Sequence, residues 1–203
     1  LKKNDLLIDS IIDQVIDPAL TAFDFDGVVA DTMNLFLDIA RHDFGITGLK
    51  YEDFTEYMIE ECLNIPPDIL DEIFDMINNG SYSHTLRQMP GAVDVLCRFG
   101  SFSSPLLVVT ARPDSGVVKE WFAKNLGSCL DKWEIVATGT FEGKKDVLLE
   151  KGIRYFVEDR LETCFQIEKA GIVPILYTQP WNRKEHFFIE AGSWSEIKNL
   201  AGL

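Results

Sequence analysis

The chain has 203 residues, 46% of them hydrophobic and 26% charged, a globular balance that excludes a disordered or fibrous polypeptide. At about 150 residues per domain this is one domain, or one carrying a small insertion, and it can bury a core without disulfide or metal staples. A formal net charge of −14 argues against a nucleic-acid polymer or a membrane surface as partner, but a local cation can still hold a small phosphorylated metabolite.

Taken in order, Leu7, Ile8, Ile11, Ile12, Val15 and Ile16 recur at helical spacing, with Asp9, Asp13 and Asp17 on the opposite face. They predict an N-terminal helix over residues 1–18, packed on the core and too acidic to span a membrane. Leu20 to Phe25 reads as a buried strand that runs into Asp24-Phe25-Asp26-Gly27. Thr32 is placed to cap a helix from Met33 to about Phe44, stopped by Gly45. A second helix is expected over Phe54 to Leu63, and a third opens at Pro66-Pro67 and runs to about Asn78.

From Met89 onward the pattern alternates. Helices are predicted over Ala92–Phe99, Ser115–Leu126, Asp146–Lys151 and Thr163–Ala170, and a last one from Ser195. Strands are predicted over Leu106–Thr110, Glu134–Thr138, Tyr155–Glu158 and Val173–Tyr177. The unbroken run Leu-Leu-Val-Val suits a parallel strand covered on both faces. The fold class is therefore α/β, a doubly wound, Rossmann-like parallel sheet. Residues 19–32 and 87–203 form its core, and the helical block 33–86 is an insertion over the carboxyl ends of the strands, where open α/β sheets bind ligands.

Cys62, Cys97, Cys129 and Cys164 are widely spaced and form no Cys-x-x-Cys pair, so four reduced thiols in a cytoplasmic protein are expected. His42, His84 and His186 share no zinc-ligand spacing.

Three strand ends carry polar residues that a purely structural strand end does not need. Alternation sends Asp24 and Asp26 to one side. Two like-charged carboxylates that close repel, and a divalent cation relieves them; all-oxygen donors favour Mg²⁺. Thr110-Ala111-Arg112 follows the most apolar strand, and Glu158-Asp159-Arg160 follows another. Singly, each reads as a turn, a helix cap or a solvated ion pair. Together they meet on one edge of a parallel sheet.

These strings resemble the motifs of the haloacid dehalogenase superfamily of aspartate-nucleophile phosphohydrolases. The resemblance runs through Phe23-Asp24-Phe25-Asp26-Gly27-Val28-Val29-Ala30-Asp31-Thr32, Val108-Val109-Thr110-Ala111-Arg112, the lysine of Gly143-Lys144-Lys145-Asp146, and Phe156-Val157-Glu158-Asp159-Arg160. Thr110-Ala111-Arg112-Pro113, Glu158-Asp159-Arg160 and Gln179-Pro180-Trp181-Asn182-Arg183 are similar to the 5′(3′)-deoxyribonucleotidase-like branch, and the helical block resembles a C1-type cap.

The resemblance implies Asp24 as nucleophile, forming an aspartyl-phosphate, and Asp26 as general acid and base. It implies Mg²⁺ held by Asp24, the Asp26 carbonyl and Asp159, with Glu158 a ligand either directly or through water. Thr110, backbone N–H groups near Ala111, and Lys144 or Lys145 would bind phosphate, with the register favouring Lys144. Arg112 either recognises a second group on the substrate or pairs with a nearby acid such as Asp114 or Glu158. Asp31 either organises the loop into the cap or touches substrate, and Trp181 and Asn182 lie beside the site or simply pack. The implied activity is Mg²⁺-dependent phosphomonoester hydrolysis. Three readings stay open: a nucleoside monophosphate as substrate, another small metabolite such as phosphoglycolate or a sugar phosphate, or a catalytically silent binding module. Oligomeric state is not readable from the sequence.

Overall fold

The computed structural model describes residues 16–102, 105–127, 129 and 132–203. The predicted N-terminal helix lies outside them except for its end, where Ile16 is buried and Pro18–Leu20 forms a 3₁₀ turn.

Six parallel strands form one sheet in the order β3-β2-β1-β4-β5-β6. They are β1 (Thr21–Phe23), β2 (Leu106–Thr110), β3 (Trp133–Ala137), β4 (Tyr155–Glu158), β5 (Val173–Tyr177) and β6 (Ile189–Ala191). The helices are α1 (Thr32–His42), α2 (Pro67–Asn79), α3 (Ala92–Phe99), α4 (Gly116–Leu126), α5 (Gly143–Glu150), α6 (Leu161–Glu168) and α7 (Trp194–Leu200). The pleat divides the strands' side chains between two apolar layers. Phe23, Val108, Val157 and Ile175 face Phe99, Phe122, Trp194 and Ile197 of α3, α4 and α7. Ala22, Leu107, Val109 and Phe156 face Leu148 and Ile167 of α5 and α6. Burial on both sides explains why the central strands read as continuous apolar runs.

Several expectations change. β1 is three residues long and ends before Asp24, which leaves the acidic motif free to turn. Asp31, not Thr32, caps α1: its carboxylate accepts from the Asn34 N–H, while Thr32 is the first helical residue and donates its hydroxyl to Asp26. The helix expected over Phe54–Leu63 is replaced by 3₁₀ turns at Tyr51–Asp53 and Ile59–Glu61. Phe54 and Ile59 are the buried residues of that stretch, five apart, a spacing that no single helix face provides; Met58 between them is extended. α5 begins at Gly143, so Lys144 lies in its first turn. β6 has no counterpart among the predicted strands; it is a three-residue edge strand.

The cysteine reading is also corrected. Cys97 and Cys129 form a disulfide with Cα atoms 5.6 Å apart, while Cys62 and Cys164 are free. The two cysteines lie far apart in sequence, but α3 and α4 pack on the same sheet face and bring their ends together.

Candidate active site

The sheet gathers its polar residues at the carboxyl ends of the strands. Asp24 follows β1 and is held there by its own N–H, which donates to the Val157 carbonyl at 2.9 Å. The chain then reverses: the N–H groups of Val29 and Ala30 both donate to the Phe25 carbonyl. Phe25 points the other way and packs edge-on against Trp121. Gly27 makes this turn with a φ of +72°, and a Cβ there would lie 2.1 Å from Asp159 Oδ2. Only glycine fits so close an approach.

Lys144 reaches the site from α5. Its Nζ is 2.9 Å from Asp24 Oδ2 and 2.9 Å from Glu158 Oε2, and the side chain is 1% exposed. Lys145 lies at the surface beside Asp146. Thr110, at the end of β2, is buried, and its hydroxyl oxygen accepts from the Arg112 N–H. Arg112 does not pair with Asp114 or Glu158. Its Nε and Nη2 grip the two oxygens of Asp26 at 2.9 and 2.7 Å, and Nη1 donates to the Ile77 carbonyl.

Three buried acids, Asp24, Glu158 and Asp159, each offer an oxygen within 4.8 Å of the others. They are not equivalent as metal ligands. Glu158 Oε2 already accepts from Lys144, and Oε1 accepts from the N–H groups of Asp159 and Arg160. Asp159 Oδ2 accepts from the Trp181 indole at 3.2 Å, but Oδ1 is buried with no partner. A buried carboxylate oxygen left bare is costly unless something positive meets it. The hard oxygen set therefore fits Mg²⁺, through Asp24 and Asp159, with Glu158 serving to hold Lys144.

Burial pushes Asp24 well above the usual carboxylate range, the charge of Glu158 adds to it, and Lys144 only partly compensates. Asp159 is raised by burial first, then by Glu158 and Asp24. Burial pulls Asp26 upward too, but the charge and hydrogen bonds of Arg112, with the Thr32 hydroxyl, outweigh it and hold Asp26 below its ordinary value.

A cavity of about 280 Å³ opens onto Asp24, Thr110 and Lys144. Its far wall comes from the helical segment: Phe54, Tyr57, Met58, Phe74 and Ile77. Phe141 closes one side, edge-on to Tyr57, and Arg160 lies over the Phe141 ring at 4.2 Å. Gln179 ties the helical segment to the acidic turn: its amide nitrogen donates to the Gly27 carbonyl at 2.6 Å, and its amide oxygen accepts from the Tyr51 hydroxyl.

Gln179 and Phe141 are not among the site residues that the sequence points to. Gln179 carries a readable signal, a polar residue just past the apolar strand β5, in the same position class as Asp24 and Asp159. Phe141 carries none, since a lone aromatic in a loop reads as packing. Trp181 and Asn182 do stand beside the site, and both hold Asp159: Trp181 through its carboxylate, Asn182 through its carbonyl.

A parallel sheet with an aspartate turn after its central strand, and a lysine and further acids at neighbouring strand ends, defines a phosphohydrolase of the haloacid dehalogenase superfamily. Solved structures share the fold. A subfamily IA hydrolase of that superfamily from Geobacter sulfurreducens superposes with a TM-score of 0.57 at 20% identity, covering 93% of this chain and 98% of the other. A haloacid dehalogenase-like protein from Streptococcus pneumoniae gives 0.57 at 14% identity, covering 87% and 95%. A nucleotidase of Clostridium acetobutylicum is 23% identical over 181 residues, 87% of this chain and 90% of that protein. The chain belongs to the family described as 5′ nucleotidase, deoxy (pyrimidine), cytosolic type C protein, whose sequence profile matches residues 18–202. It is a phosphatase.

Proposed function

We propose that the protein is a Mg²⁺-dependent phosphomonoesterase that acts on nucleoside monophosphates through an aspartyl-phosphate. The observation that carries this reading is the division of one cavity into a phosphate end, with Asp24, Thr110 and Lys144, and an aromatic end, with Phe54, Tyr57 and Phe74. A flat, uncharged base suits the aromatic end, where stacking on rings is worth about 1–3 kcal/mol per base.

A carboxylate oxygen of Asp24 attacks phosphorus in line, and the bond from phosphorus to the leaving alcohol oxygen breaks. Asp26 gives that oxygen its proton. It then takes a proton from a water molecule, which attacks phosphorus and releases phosphate from Asp24. Thr110 and the N–H groups near Ala111 donate to the phosphoryl oxygens, and Lys144 supplies a fixed positive charge. Asp24, the Asp26 carbonyl and Asp159 would hold Mg²⁺, which would supply positive charge against the repulsion between nucleophile and phosphate.

The cavity weighs against phosphoglycolate. Among its described lining residues the cations are Arg112 and Lys144, and carboxylates hold both. A second substrate carboxylate would instead meet Glu56 and Glu60. Intact Asp24, Asp26, Thr110 and Lys144 weigh against a silent module. A cytoplasmic location is supported by the family's description as cytosolic, and the Cys97–Cys129 bond stands against it. The test is phosphate release from nucleoside monophosphates, sugar phosphates and phosphoglycolate, with Mg²⁺ or with chelator. The reading expects the highest kcat/KM on a nucleotide; a higher value on phosphoglycolate overturns the substrate assignment.

A further inference from the structure

Arg112 occupies a junction of three elements. It follows β2, its guanidinium lies over the Phe25 ring at 5.4 Å, and it is 5% exposed. One edge of the fork, Nε and Nη2, holds both oxygens of Asp26. The remaining nitrogen, Nη1, donates at 2.8 Å to the carbonyl of Ile77, in the last turn of α2. That carbonyl is among the last four of the helix, which have no partner within it and carry the negative end of its dipole.

We propose that Arg112 is a positioning residue that couples the seating of α2 to the orientation of the Asp26 carboxylate. The guanidinium is planar and its donors are fixed relative to one another. A shift of the Ile77 carbonyl therefore tilts the same plane that holds Asp26. The grip also selects an oxygen. Asp26 Oδ1 accepts from both Arg112 and Thr32, which fills its two lone-pair sites, while Oδ2 accepts from Arg112 alone. Oδ2 is the oxygen left able to meet a leaving group or a water. When the helical segment is seated, Asp26 presents Oδ2 to the cavity. When α2 moves away, the guanidinium loses its third anchor and the carboxylate its fixed direction. This coupling works in both directions, so Asp26 also holds α2 in place.

The kinetic consequence rests on Asp26 being the acid and base; the mechanical one does not. The experiment has two arms on the full chain. In the first, Arg112→Lys, Asp26→Asn and the double variant are assayed with Mg²⁺ on a nucleoside monophosphate and on p-nitrophenyl phosphate. Arg112→Lys is expected to lower kcat on the nucleotide by about 10²-fold, within the range of general acid–base catalysis, with KM within about twofold. The first-turnover burst of nitrophenolate should suffer less, since that group leaves without a proton, while the steady state that follows stays slow because the water has lost its base; the double variant should be no slower than Asp26→Asn alone. A raised KM with unchanged kcat makes Arg112 a substrate contact and overturns the proposal, as does full additivity.

In the second arm, hydrogen exchange is followed at Gly80 and Ser81, whose N–H groups close the end of α2 on the Met76 carbonyl. Faster exchange in Asp26→Asn, a substitution outside the helical segment, is the expected result. Unchanged exchange overturns the coupling. If no phosphate ester is hydrolysed by the wild-type chain, the functional reading fails while this arm still decides the mechanical one.

Discussion

The ammonium of Lys144 lies 2.9 Å from Oδ2 of Asp24, with both side chains almost wholly enclosed. A buried cation whose partners are two buried carboxylates cannot be removed without leaving charge unpaired. Lys144→Met is expected to cost about 3–5 kcal/mol, roughly 10 °C in melting temperature at this chain length. Lys145→Met, at the surface, should stay within about 0.5 kcal/mol of wild type. Thermal melts of the two variants side by side test this, and equal shifts would show that Lys144 is not held as a buried cation by Asp24 and Glu158.

Asp24→Asn is expected to abolish turnover and to leave the fold intact. The amide cannot form an acyl phosphate, and burial already disfavours the charge it replaces. Acid-quench trapping of labelled phosphate on the wild-type chain, absent in the variant, is the direct measurement. Near-normal turnover in the variant would rule out Asp24 as nucleophile.

Asp24 and Asp159 set the pH dependence of the metal-free protein. Both carboxyls are raised in the fold, so their favourable contribution is complete below the ordinary carboxylate range and is lost as pH rises through the raised values. Metal-free protein is therefore expected to melt lower as pH rises above the ordinary carboxylate range, with Mg²⁺ restoring stability most at the higher pH because binding displaces protons. Asp26 has the opposite sign: its contribution persists at neutral pH and is lost only as pH falls through its lowered value. Melts at rising pH check the slope, and Asp159→Asn should flatten it.

Gly27→Ala tests how closely the acidic turn and Asp159 fit. The new Cβ would overlap Asp159 Oδ2 and press on the Trp181 ring, in a backbone conformation that alanine resists. Mg²⁺ affinity is expected to fall about 10- to 100-fold, as when the groups that orient a metal ligand are disturbed. Titration calorimetry measures it, and unchanged affinity would show that Asp159 does not need its present orientation.

The bond between Cys97 and Cys129 closes a loop with a sequence separation of 32, for which about 2–4 kcal/mol is typical. Reduction or Cys97→Ser should lower the melting temperature while leaving kcat unchanged, because neither cysteine lines the cavity. Peptide mapping without reductant checks the link itself.

The sheet is legible in the sequence because β2, β4 and β5 are apolar runs, and the candidate site because polar or charged residues stand at or just past the ends of β1, β2 and β4. Asp24, Asp26, Thr110, Lys144 and Asp159 all meet at one cavity. What stayed hidden depends on contacts across the chain. The stretch after Phe54 carries enough apolar residues for a helix, but it is held open so that Tyr57 can reach Phe141, more than eighty residues away in sequence. Arg112 could be read as a substrate contact or as the partner of a neighbouring acid. Its actual partner, Asp26, lies on another strand end, and nothing local points to it. The Cys97–Cys129 pairing was hidden for the same reason.

Near Ala30 the chain leaves the sheet layer, and near Gln88 it returns, the two residues bridged as antiparallel neighbours. Met89 donates to the Val29 carbonyl and Asp31 to that of Arg87. Residues 32–86 thus hang from one seam whose ends are about one strand spacing apart, roughly 5 Å. Whatever hangs there can be lengthened, shortened or exchanged without altering strand order. On the proposed reading, the residues that would act on phosphorus lie at the carboxyl ends of the strands and on α5, whereas most of those that would meet the rest of the substrate belong to the pendant piece. Reactivity and selectivity are therefore separable inheritances: a descendant can change its diet by rewriting fifty-odd residues and keep its chemistry whole.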